Sequence, residues 1–506
     1  MKKIMTRLLS LVLLGAFIPS FVLAETWDLG KGDITVTATE TSQTVSQVNG
    51  ETKDDPDPVI TSSGKTENTV TINAETNATA KVTLENVNID TGTTDEAAIT
   101  ASGEGNVNIE LNGTNTVQSG NTHAGVEKKD NGTLTITDEN KDGSLTATGG
   151  NYGAGIGGGY GGSGSNIAIE GGKVKAIGGS HGAGIGGGFG GSGSNIAIEG
   201  GKVEASSVGG GAGIGGGSLG SGSNITISGG EVTAQGGVGG AGIGGGQGGS
   251  GSNITISDGK VTATGAGAGA GIGGGYEGSG KGITIEGGEV TAQGDTGGAG
   301  IGGGLNGTGS DVTISGDAQV KVQGGTADER WKEGAAIGNG GTRTAEGNEV
   351  SPNTSDLTVE GSIQIYEPGK NINTDTPDRT IEGQKGDHSW NAGEVTTAET
   401  VPESKAAAYW VSDSEGQSIP YQAQQKDGVL TVTVQADTAS LRGTTGSLRQ
   451  LEAQGVAEIR FVTNGAQSAF TLADLLASGT GSFTLTHEAE AVRFTLESTD
   501  ISGILK

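Results

Sequence analysis

Two pairs of ring-bearing residues share one spacing. Tyr152 and His181 lie 29 residues apart, and so do Tyr160 and Phe189. Coils of that length stacked ~4.8 Å apart would hold both pairs on one edge. Rings on a rigid scaffold can stack on sugar faces with little ordering cost. The competing reading is that such rings only close a corner of the stack.

A second group carries oxygen ligands. Asp138-Glu139-Asn140-Lys141-Asp142-Gly143 sets Asp138, Asn140 and Asp142 on alternate residues, with glycine where a calcium loop must turn sharply. An EF-hand would need a glutamate at the twelfth position, where Gly149 stands, and flanking helices. The alternative is a polar hairpin turn between Thr137 and Leu145. Gly161-Gly162-Ser163-Gly164-Ser165-Asn166 is close to a calcium-binding β-roll nonapeptide, but asparagine stands where aspartate is needed, and only Asp311 restores the carboxylate.

Other chemistries fail on spacing. Gly153-Ala154-Gly155-Ile156-Gly157-Gly158 fits the dinucleotide pattern formally, yet no helical stretch follows it. Glu170, Glu199, Ser228, Ser257, Glu286 and Ser315 follow one strand column without making a fixed carboxylate pair, as glycoside hydrolysis would require. His123, His181, His388 and His487 are scattered. Thr226, Thr255, Thr284 and Thr313 would form an outward ladder of the kind that binds ice or crystalline chitin, but Ala168 and Ala197 interrupt it.

The elements that must position these residues are repeats. Ala-Gly-Ile-Gly-Gly-Gly recurs around Ile156, Ile185, Ile214, Ile243, Ile272 and Ile301. A second column holds Ile167, Ile196, Ile225, Ile254, Ile283 and Val312, and a third holds Val174, Val203, Val232, Val261 and Val290. Apolar and polar residues alternate within each strand, the period of a strand with one buried face. Each unit therefore reads as a glycine corner, an Ile-x-Ile strand, a turn and a Val-x-Ala strand. Such a unit buries its face only by stacking on its neighbours. The expected fold is all-β: a parallel β-helix over 25–372, with its most regular repeats over about 150–320.

Of 506 residues 103 are glycine, 8 proline and none cysteine. Glycine without a three-residue period excludes collagen, and the absence of cysteine excludes disulfide scaffolds and thiol chemistry. Lys2, Lys3 and Arg7, an apolar run from Leu8 to Phe17, and Val22-Leu23-Ala24 predict a signal peptide over 1–24, cleaved before Glu25. The formal charge of −29 becomes more negative once that segment is lost. An exported, extracellular or cell-surface protein is expected, with no nucleic acid as partner and no membrane contact after cleavage.

Beyond a polar linker at 373–399, residues 400–506 change character. Strands are expected at Leu430/Val432/Val434 and at 458–462, helices at 448–454 and 472–476, and a final hairpin from Phe483 to Leu496. This is a small α+β module.

The runs Val82-Thr83-Leu84-Glu85-Asn86-Val87-Asn88-Ile89, Ala97-Ala98-Ile99 and Val107-Asn108-Ile109-Glu110-Leu111-Asn112-Gly113-Thr114-Asn115 resemble a family of secreted right-handed β-helix proteins of clostridia and related gut Firmicutes. The Ala-Gly-Ile-Gly-Gly-Gly array resembles repeats found beside that segment in large exported surface proteins. The resemblance implies a right-handed helix, no hydrolysis, calcium, and acidic plant polysaccharide as partner. It carries over no ligand residue position by position. Three functions therefore compete: a non-catalytic binder of polysaccharide or cell-surface glycan, a structural spacer presenting the C-terminal module, and a polysaccharide lyase or hydrolase.

Overall fold

The computed structural model describes residues 24–506 except 49, 51, 329, 343–356, 360–361, 382–387, 392–393, 398–408, 414–418, 420, 427 and some positions from 446 onward. The expected signal peptide therefore lies outside the described residues, apart from Ala24. The chain divides into two compact units, with the boundary between Ala398 and Glu399.

The first unit is a right-handed parallel β-solenoid. Its described strands form three long sheets of 12, 11 and 13 strands. The repeat columns pair in register: Ile156 with Ile185, Ile214 and onward to Ile301 and Ile337, with Val126, Ile99, Val70 and Ile34 continuing the column the other way. The glycine corner differs from expectation. Ile156-Gly157 and its equivalents are strands themselves, and they build the third sheet. Two residues are too few to show an alternation, so the sequence pattern carries only two strands per coil.

The core is a stack of columns. Ile156, Ile167, Ile169, Val174 and Ala176 are almost wholly buried, and so are their counterparts one coil on. Glycine at 157 has a specific cause. Its φ is +133°, and a Cβ there would lie 2.0 Å from the Gly186 carbonyl oxygen. The same close approach recurs at Gly186, Gly215, Gly244, Gly273 and Gly302. Only glycine allows backbones to stack this closely in this conformation.

At each end of the stack, antiparallel strands extend one of the three sheets among the described residues. Ile34–Ala38 pairs in parallel with the second coil on one side and antiparallel with Gln43–Gln47 on the other. The Gln43 carboxamide also accepts from Lys81 N at 2.8 Å and donates to Lys81 O at 2.9 Å, taking the place of a strand residue. At the other end Arg379–Ile381 runs antiparallel to Ser362–Tyr366. The stretch 373–399, expected as linker, thus contains a strand, and His388–Asn391 with Glu394–Thr397 adds a hairpin. A solenoid end exposes unpaired backbone, and Gln43–Gln47 and Arg379–Ile381 each pair with one such edge.

The described strands of the second unit form a five-stranded sheet and a four-stranded sheet. Val429–Thr433 pairs in parallel with Glu458–Val462, and Ser482–Glu488 with Ala491–Leu496 makes the expected hairpin. The helix Leu472–Ala477 starts where the Thr471 hydroxyl accepts from Asp474 N at 3.0 Å. The helix expected at 448–454 falls largely outside the described residues. Phe461, Phe470, Phe483 and Phe494 are fully buried in the core of this unit.

His487 is buried within it. Its ring nitrogens lie 3.1 Å from Thr463 Oγ1 and 3.0 Å from Ser468 Oγ. Burial pushes its pKa below the usual histidine value. The folded unit therefore holds a neutral imidazole, while the unfolded chain gains a proton below pH ~6.5. The histidine's contribution to stability is present above that pH and lost as pH falls toward the lowered folded value. In calorimetry the transition of this unit should move down on acidification from pH 7 to 5, and His487→Gln should flatten that slope.

Candidate functional site

The site begins with two loops on either side of each Ile-Gly strand. Tyr152 precedes the strand Ile156–Gly157 and Tyr160 follows it. The next coil places His181 and Phe189 in the same positions around Ile185–Gly186. Backbone bonds fix these loops from coil to coil: Tyr160 N donates to Thr122 O at 2.7 Å, and Phe189 N to Tyr152 O at 2.9 Å.

The four rings meet in one cluster. Tyr152 stacks on His181 with centroids 5.2 Å apart, and Tyr160 stacks on Phe189 at 5.7 Å. Edge contacts join the columns: Tyr152 to Tyr160 at 5.4 Å and His181 to Phe189 at 5.2 Å. Tyr160 is 60% exposed, while the other three are half-buried. Tyr152 and Phe189 thus brace Tyr160, which faces water, and His181 packs against both of those supporting rings. In later coils Ser218, Gln247, Tyr276 and Leu305 occupy the Tyr160 column.

Beside Tyr160 lies a cleft of about 360 Å³ lined by Thr122, His123, Glu127, Lys128, Lys129 and Ser163, among others. His123 Nδ1 is 2.6 Å from Glu127 Oε2, which also accepts from Ala124 N at 3.1 Å. Lys129 Nζ lies 3.3 Å from Glu127 Oε1. Lys128 is buried and donates to the Asp130 carbonyl oxygen. That burial holds its ammonium below the usual lysine range, against the opposing pull of Asp130 and Glu104. The polar cluster was not legible from motifs, but one signal was present. Where the next coil has Gly157-Gly158-Gly159, this one has Glu127-Lys128-Lys129, and Glu127 pairs with Gly157 in the sheet.

Asp138, Asn140 and Asp142 lie in a turn between Leu134–Thr137 and Ser144–Thr148. Asp138 Oδ1 accepts from Gly143 N at 3.0 Å, and Lys141 sits at φ +61°. The loop is thus closed by its own aspartate, whose other oxygen makes no hydrogen bond among the described residues. Among those residues, no group of three or more histidine, aspartate and glutamate side chains gathers as a metal site.

Asn166 has a role the sequence did not disclose. It adopts φ +57° between Ser165 and Ile167, which keep the same register with Ser194 and Ile196, so each Gly164–Ile169 type strand carries a left-handed kink without a register shift. Asn195, Asn224 and Asn253 repeat that conformation, and their carboxamides form a ladder with N–O distances of 2.9–3.1 Å. Gly282 and Asp311 take the position in the last two regular coils. This explains asparagine where a β-roll calcium site has aspartate: the position is left-handed backbone, suited to asparagine and glycine.

No curated protein and no solved structure matches the chain. Over residues 141–160, 167–189, 196–218, 225–247, 254–276 and 283–305 it matches the family model described as the beta helix repeat, so the chain is similar to that family across its most regular coils.

Proposed function

We propose that this protein is an exported, non-catalytic β-solenoid that binds polysaccharide or cell-surface glycan on the edge carrying Tyr152, Tyr160, His181 and Phe189. The observation that carries this reading is the ring cluster: one exposed tyrosine braced by Tyr152 and Phe189, which His181 supports in turn. Tyrosine and phenylalanine faces match the C–H faces of sugar rings, and a pre-ordered cluster binds with little loss of side-chain freedom. The adjacent His123, Glu127 and Lys129 offer donors and acceptors for sugar hydroxyls. The resemblance to secreted carbohydrate-binding β-helix proteins of gut bacteria supports the same reading. A strongly acidic surface favours neutral sugars, or acidic ones bridged by calcium. A glycan array probed with the mature protein, with and without calcium, tests it; no bound glycan under either condition would leave the solenoid as a spacer.

Calcium enters through the 138–143 turn. The free oxygens of Asp138, Asn140 and Asp142 are hard ligands of the kind calcium takes. Added calcium should raise the melting temperature by linkage, since only the folded turn presents the set. Replacing Asp138 and Asp142 by asparagine should abolish that rise. A melting curve indifferent to calcium would reduce the segment to a turn.

A further inference from the structure

The first cap of the solenoid contains a buried carboxylate of unusual surroundings. Asp55 is fully buried. Its Oδ2 accepts from the Trp27 indole Nε1 at 2.8 Å and from the backbone nitrogen of Glu25 at 3.1 Å, and its Oδ1 lies 3.3 Å from Asp57 N. All three donors are neutral, and among the described residues Asp55 makes no ion pair with lysine, arginine or histidine. A carboxylate taken out of water is costly without a cation.

The chain supplies one at the same atom. Signal-peptide cleavage is expected after Ala24, and the nitrogen it would free is that of Glu25. We propose that cleavage between Ala24 and Glu25 completes this cap, by converting the Glu25 amide into an α-ammonium that pairs with the buried Asp55 carboxylate. In the hydrolysis, water's oxygen joins the Ala24 carbonyl carbon as the C–N bond breaks. The Glu25 nitrogen leaves as an amine and is protonated at neutral pH, while the new Ala24 acid ionises. The catalyst is a signal-type peptidase acting on the exported chain.

Two further contacts of Glu25, and the anchoring of Trp27, hold Glu25 where the pairing needs it. Its carbonyl oxygen accepts from Val59 N at 3.0 Å, starting the parallel pairing of Thr26–Asp28 with Val59–Thr61. Its side chain meets Lys53 Nζ at 2.8 Å. Trp27, two residues on, is packed into the core and shares the Asp55 oxygen. Ala24 and Glu25 are both exposed, so the new terminus would sit at the surface while its nitrogen reaches inward. A cationic donor would then replace a neutral one at the buried carboxylate. The proposal rests on the signal-peptide reading and is independent of any glycan.

The test compares the secreted protein, its start at Glu25 verified by intact mass, with a form retaining Gly-Ser before Glu25. Both are made with Asp55 and with Asp55→Asn. The mature form should melt several degrees above the extended one, and Asp55→Asn should erase that difference. The α-amine of the mature protein should titrate at least about one unit above its ordinary ~7.7–8.0. With its folded value raised, its stabilising effect is present below pH ~8 and lost as pH rises through the raised value. Should Asp55→Asn fail to fold, the α-amine titration of the unmutated protein decides. Equal melting of the two forms, an ordinary α-amine, or a mature chain starting elsewhere would each overturn the proposal.

Discussion

Ile243→Asp should cause cooperative loss of the central coils. Ile243 is fully buried and paired in register with Ile214 on one side and Ile272 on the other. An aspartate there would be an ion between two isoleucines, with no cation in either neighbouring coil of that column. Loss of the isoleucine alone removes roughly 2–3 kcal/mol of burial, and an unpaired buried carboxylate adds several more. Because each coil contacts only its neighbours, the break propagates through interface terms rather than staying at one residue. Gly244→Ala tests the same place by shape instead of charge. Gly244 holds φ +131°, and a Cβ would fall 2.0 Å from the Gly273 carbonyl oxygen, so the coil must separate from the next one. Thr255→Asp, on the outward ladder between Thr226 and Thr284, should change stability by less than about 1 kcal/mol. Thermal unfolding and hydrogen exchange over the central coils check all three. Near wild-type melting of Ile243→Asp would show that the column faces solvent.

The contrast between Ile243 and Thr255 also explains how far the sequence can be read. Apolar columns repeating at 29 residues define which faces turn inward, because every copy obeys the same burial constraint. The Ile-x-Ile and Val-x-Ala strands were therefore legible, down to the pairing of Val174 with Val203. The third sheet was not, because its strands are only Ile-Gly pairs embedded in a glycine run. The left-handed kink at Asn166 was hidden for another reason: the register runs unbroken from Ser165 to Ile167, and only the backbone conformation shows it. The ends were legible least. A cap answers the open sheet edge and has no repeat to betray it, so Arg379–Ile381 lies in a stretch that reads as polar linker. In the candidate site, the two ring pairs follow from the period alone. The edge contacts between columns do not, since they depend on two loops folding toward each other around Ile156–Gly157.

Replacing Tyr160 and Phe189 together by alanine should reduce glycan binding at least about tenfold while leaving the circular dichroism spectrum unchanged. The expected loss follows from what the two rings do. Tyr160 presents the exposed face, and Phe189 stacks behind it with an interplanar angle of 26°. Removing an aromatic platform costs about 0.5–1.5 kcal/mol per ring pair beyond the area it covers, and the area itself adds to this at ~25 cal/mol per Å². A tenfold loss corresponds to about 1.4 kcal/mol, so the double substitution should exceed it. The fold should tolerate the change, because both side chains lie outside the isoleucine and valine columns, and the equivalent positions one and two coils on are Ser218 and Gln247. Tyr152→Ala separates support from contact. Tyr152 is half-buried and touches Tyr160, His181 and Phe189. Its loss should therefore weaken binding by loosening Tyr160, and a larger ring-flip rate of Tyr160 by NMR should accompany the weaker binding. Retention of full affinity with both Tyr160 and Phe189 gone would move the binding surface away from this edge, to the looser upstream coils or to the C-terminal unit.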